Sequence, residues 1–105
     1  MKSLVNTDVI VQLEAWLSEQ CDGDWEHTYG MTIETTDNPG WYVQIDLDET
    51  TLSDVVKPFH RSERSETNWI QFEIMESKFI GSAGIGNLME LLQCFLVCVT
   101  EERGQ

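Results

Sequence analysis

Ten consecutive residues, Cys21-Asp22-Gly23-Asp24-Trp25-Glu26-His27-Thr28-Tyr29-Gly30, gather a thiol, an imidazole, three carboxylates and two large aromatics. Carboxylates at alternate positions suit a calcium loop, thiols with an imidazole suit zinc, and a thiol beside a base suits nucleophilic catalysis. Acids interleaved with aromatics also suit contact with a protein partner. Each of these chemistries makes demands that the rest of the chain either meets or fails.

Asp22, Asp24 and Glu26 resemble the opening of a calcium loop. Counting from Asp22, the sixth position, where such a loop needs Gly, is His27, and the twelfth, where it needs Glu, is Ile33. Zinc would draw on Cys21, His27, Cys94 and Cys98, the last two at the i, i+4 spacing of one helix face. They flank Phe95-Leu96-Val97, however, and free Cys is among the most buried residue types, so core packing accounts for them better. Cys21 with His27 as base is the thiol-enzyme alternative. A reactive thiolate needs positive neighbours or a helix N-terminus, whereas Cys21 stands at the expected end of a helix beside Asp22 and Asp24. Gly81 and Gly86 have the spacing of the two glycines of a phosphate loop, but Asn87 follows where that loop needs Lys. No metal, no cofactor and no catalytic residue is therefore expected, and the chain reads as a non-enzyme.

The elements that would hold these residues follow from periodicity. Val9, Ile10, Leu13, Trp16 and Leu17 recur at helical spacing over Val9 to Gln20, with Thr7 or Asp8 as cap and Gly23 as the left-handed stop. Tyr29, Met31, Ile33 and Thr35 alternate as a strand. Asp37-Asn38-Pro39-Gly40 then predicts a hairpin turn with Pro at its second position and Gly at its third. Trp41 to Leu47 returns, with Trp41, Val43, Ile45 and Leu47 on one face and Tyr42, Gln44 and Asp46 on the other. Val56 to Glu66, interrupted by Pro58, reads as an edge strand. Trp69 to Glu76 alternates again, with Ile70, Phe72 and Ile74 inward. Lys78 to Ile80 extends the sheet briefly, Gly81 to Gly86 is a loop by composition, and Asn87 with Glu90 starts a last helix to about Thr100. That helix is apolar nearly all round from Cys94 to Val99, as a central core helix or an oligomer interface would be.

The sum is an α+β fold of residues 1–105 in a single domain: an antiparallel sheet of about four largely sequential strands, with the N-terminal and C-terminal helices on one face. The other face would show Thr32, Glu34, Tyr42, Gln44, Asp46, Gln71 and Glu73, with Trp69 near one end. Nineteen Asp and Glu against six Lys and Arg give a formal net charge of -13. A surface of that sign disfavours nucleic acid and anionic lipid and favours a basic protein partner, although acidity also serves solubility. Polar residues interrupt the N-terminus, so neither a signal peptide nor a membrane span is expected. Three cysteines without framework spacing point to free thiols in a cytoplasmic protein.

Several strings then carry a resemblance over nearly the full length: Trp16; Gln20 to His27 followed by Tyr29-Gly30; Thr35 with Asp37-Asn38-Pro39-Gly40-Trp41; Trp69; and Gly81, Gly84, Gly86-Asn87-Leu88 with Glu90. With these the chain resembles the immunity protein 53 family, small proteins encoded beside toxins of bacterial polymorphic toxin systems. Leu52 to Ser65 matches only loosely. The resemblance implies a protein that binds and neutralises a cognate toxin without catalysis of its own. Relatives of this kind are sometimes labelled rhodanese-related sulfurtransferases, a label that needs a persulfide-forming cysteine, and the acidic surroundings of Cys21 oppose it. The residues expected to meet the toxin, a basic domain such as a nuclease, are Asp22, Asp24, Trp25 and Glu26 from the first connection. Tyr42, Asp46, Trp69 and Glu73 from the open sheet face complete the set.

Overall fold

The computed structural model describes residues 6–103. Helix α1 spans Asn6–Gln20, so Thr7 and Asp8, expected as caps, lie inside it, and Asp8 in the first turn suits the positive end of the helix dipole. Its buried stripe is Val9, Leu13 and Trp16. Ile10, expected on that face, is exposed. Gly23 takes φ +97° just past the helix end, a conformation open to glycine and costly for most residues. A single helical turn, α2, follows at Trp25–Thr28.

The sheet has five antiparallel strands: β1 Met31–Thr36, β2 Gly40–Asp46, β3 Lys57–Glu63, β4 Trp69–Met75 and β5 Lys78–Gly84. Their order is β1-β2-β5-β4-β3. The last strand is thus the central one, and the expected loop over Gly81 to Gly86 is corrected: its first four residues belong to the central strand of the sheet. The physical reason lies above it. Helix α3, Leu88–Arg103, packs so close that a Cβ on Gly81 would sit 2.7 Å from Leu91 Cδ1. Side chains that make a strand recognisable are the ones this position cannot hold.

A second correction concerns the first hairpin. Thr36 pairs with Gly40 across a loop of Asp37, Asn38 and Pro39, so Gly40 opens β2 and does not occupy a left-handed turn position. It is glycine because β5 passes beside it: a Cβ there would lie 2.6 Å from the Ala83 carbonyl oxygen.

Both long helices cover one face of the sheet. Val43, Ile45, Ile70, Ile74, Phe79 and Ala83 point into that layer and meet Leu91, Leu92 and Phe95 of α3. Edge-on aromatic contacts link the layers: Trp16 to Phe95 at 5.0 Å, and Phe95 to Phe79 at 5.3 Å. α3 is the central core helix, buried along Leu91, Leu92, Phe95, Leu96, Cys98 and Val99, with Val97 facing out. Asn87 caps its start, taking the Leu91 N–H on its carbonyl and donating from its side chain to Glu90 and Asn68. No helix among the described residues is long and apolar enough to cross a membrane.

Candidate partner-binding surface

The acidic connection is built by its own carboxylates. Asp22 Oδ1 accepts from the backbone N–H of Asp24 at 2.9 Å and of Trp25 at 3.0 Å, and Glu26 accepts from the N–H groups of Asp22 and Gly23. The two acids thereby fold the segment upon itself, and the amides of Trp25 and Asp24 hold the Asp22 carboxyl below its ordinary value. Asp24 makes no side-chain cap bond to α2 and stands exposed.

Trp25 is a core residue, 3% exposed, set edge-on to Trp16 and donating its indole N–H to the Asp48 carbonyl at 2.8 Å. With so little of its ring exposed, Trp25, expected above to meet a partner, instead anchors the connection from within.

That indole bond is one of several that gather three loops at one end of the sheet. Asp46 accepts from the Gly30 N–H at 3.0 Å and from Lys78 Nζ at 2.9 Å, Leu47 N–H donates to Ser77, and Ser77 Oγ donates to Ser53. Burial works to raise the Asp46 pKa, but the hydrogen bonds from Lys78 and Gly30 outweigh it and hold it below the ordinary carboxylate value. Around Asp46, the same end carries Asp22, Asp24, Glu26, Asp48, Glu49, Asp54 and Glu76.

Asp46 also joins this end to the uncovered sheet face. Register places Glu34, Tyr42, Ser82, Gln71 and Arg61 in one row across all five strands, and Thr32, Gln44, Ile80 and Glu73 in the next. Tyr42 and Trp69 are half-buried aromatics on two strands separated only by β5, roughly 10 Å apart across the sheet. Tyr42 Oη donates to Gln44, and the Arg61 guanidinium lies 4.7 Å over the Trp69 ring while bonding Glu63 and Gln71. Lys78, Ile80 and Ser82 of β5, and Arg61 of β3, were not foreseen here. For the first three, alternation within β5 is the only signal, and the glycines hide it.

Every Lys and Arg among the described residues is engaged by a carboxylate: Lys57 by Glu101, Arg61 by Glu63, Arg64 by Glu90, Lys78 by Asp46 and Arg103 by Glu19. Glu34 and Glu73 on the open face and Asp24 at its end take part in none of these pairs.

The thiols are scattered. Cys21 is exposed at the C-terminal end of α1, while Cys94, half-buried, and Cys98, buried, belong to α3, where burial pushes Cys94 up to about 11 and raises Cys98 as well. Among the described residues no three His, Cys, Asp or Glu side chains come together as a metal site. A cleft of about 430 Å³ between α1 and α3, lined by residues such as Gln12, Gln93 and Thr100, contains neither thiol nor imidazole.

Residues 10–100 match the family described as Immunity protein 53. No match was found among curated proteins or among solved structures.

Proposed function

The chain belongs to the immunity protein 53 family, and on that premise we propose that it binds and neutralises a cognate toxin of a bacterial polymorphic toxin system. The toxin domain it meets is basic, as a nuclease is, and the contact surface is the open sheet face together with its acidic end. The observation that carries this reading is the charge inventory: every Lys and Arg among the described residues is already paired, and nineteen acids against six bases leave most carboxylates to find a counter-charge on another molecule. Tyr42 and Trp69 supply half-buried aromatic area, Glu34, Glu73 and Asp24 supply unpaired charge, and Asp22, Glu26 and Asp46 add field from fixed positions. Trp25 serves only as support.

Co-expression with the toxin domain encoded beside the gene is the test. Cells should survive the toxin only when the chain is present, and the two proteins should elute together on size exclusion. Death in its presence, with no complex formed, would sink the reading.

A further inference from the structure

The two edges of the sheet are built differently. β3 carries Pro58, a register break between Lys57 and His60, and the cations Lys57 and Arg61, all devices that keep a second strand away. β1 has none of them. Met31-Thr32-Ile33-Glu34-Thr35-Thr36 pairs with β2 in unbroken register, contains no Pro, Lys or Arg, and is exposed along nearly its whole length.

Hydrogen-bond phase tells which groups the free edge offers. Asp46 N–H donates to the Gly30 carbonyl at 2.9 Å and the Gly30 N–H turns back to the Asp46 carboxylate, so Gly30 faces β2, and the phase alternates from there: Thr32, Glu34 and Thr36 bond inward to β2. Leu47 N–H donates to Ser77 at 2.8 Å, which gives β2 the same phase from the other side, with Val43 and Ile45 directed to β5. Met31, Ile33 and Thr35 therefore present their N–H and C=O groups outward.

We propose that the toxin adds a strand to this edge, pairing its main chain with Met31, Ile33 and Thr35. The partner's identity rests on the toxin-binding reading above. Charge selects a basic partner strand over a second copy of this chain, since two copies would bring together two net charges of -13. The side-chain pattern of that strand follows from β1. One face meets Met31 and the 39% exposed Ile33 and is apolar, and the other lies beside Glu34 and carries Lys or Arg. Such a strand continues the row that runs from Arg61 to Glu34.

Residue-level amide exchange by NMR, on the unaltered chain with and without the toxin domain, tests this. In the free chain Thr32, Glu34 and Thr36 should exchange slowly and Met31, Ile33 and Thr35 fast, and in the complex the fast set should become protected. Ile33→Pro removes an outward donor and no bond to β2, and should weaken the complex by about tenfold or more. A complex in which the fast set stays fast, with Ile33→Pro binding unchanged, overturns the edge proposal and leaves toxin binding intact. Absence of any complex with the unaltered chain overturns both. Protection of the same amides on concentrating the chain alone assigns the edge to a second copy and overturns the partner. The exchange pattern needs no variant, so it decides the matter whatever Ile33→Pro does to folding.

Discussion

Asp46 was expected to contact a partner by virtue of its charge and its place on the open face, yet much of its bonding is internal. One oxygen takes the Gly30 N–H and the other takes Lys78, so the residue ties β1, β2 and β5 together where the acidic connection enters the sheet. Asp46→Ala should therefore destabilise the fold by about 1–3 kcal/mol in urea unfolding, leaving a buried-edge amide without its acceptor. The pH dependence has a definite sign. The folded carboxyl titrates below its ordinary 3.8, so its stabilisation is complete above that value and is lost as the pH falls through the lowered one. Unfolding midpoints measured between pH 7 and pH 2 should drop on the acid side, and Asp46→Ala should drop less. Equal acid sensitivity of the two proteins would assign the effect to other carboxylates.

At the scale of elements, the glycines decide what was legible. A Cβ at position 84 would meet the Thr67 carbonyl oxygen at 2.4 Å and Asn87 Oδ1 at 2.8 Å, and the first of these is backbone that cannot swing aside. Around it Asn87, Asn68, Glu90 and Arg64 form one hydrogen-bonded cluster that fastens the start of α3 to the turn between β3 and β4. Gly84→Ala should cost about 1–3 kcal/mol by denaturant titration, whereas Gly86→Ala, with nothing within reach of its Cβ, should stay within about 0.5 kcal/mol of the parent. Equal effects at the two sites would refute the close-approach account. The same fact explains the uneven reading of the sequence. β2 and β4 were plain because Val43, Ile45, Ile70 and Ile74 alternate with polar residues, and α3 was plain from its apolar run and Asn87. β5 was hidden because a strand lying under a helix carries Gly81 and Ala83 where the pattern needs bulk, and local composition cannot register a demand made by a distant helix. Of the proposed contact residues, Tyr42, Glu73 and Trp69 share a face as the alternation implies. Trp25 could not be sorted by type alone, since a tryptophan serves equally as anchor and as core.

For the whole molecule the decisive quantity is the imbalance of charge. Nineteen acids face six bases, and the bases among the described residues are already bound within the fold, so the surface keeps a negative field that internal pairing leaves uncancelled. Such a field contributes little to the fold, where exposed pairs add roughly 0–1 kcal/mol each, and much to the rate at which a basic partner is found. Its reach shrinks with salt, from about 10 Å at 0.1 M to about 3 Å at 1 M. Association of the chain with its toxin should therefore slow by about tenfold or more between roughly 0.05 and 0.5 M salt, while dissociation, governed by short-range contacts such as those proposed at Tyr42, Trp69 and the β1 edge, changes far less. Stopped-flow mixing at a series of salt concentrations separates the two rates. An association rate flat in salt would mean that the acidity serves solubility alone and that recognition lies in shape and main-chain pairing.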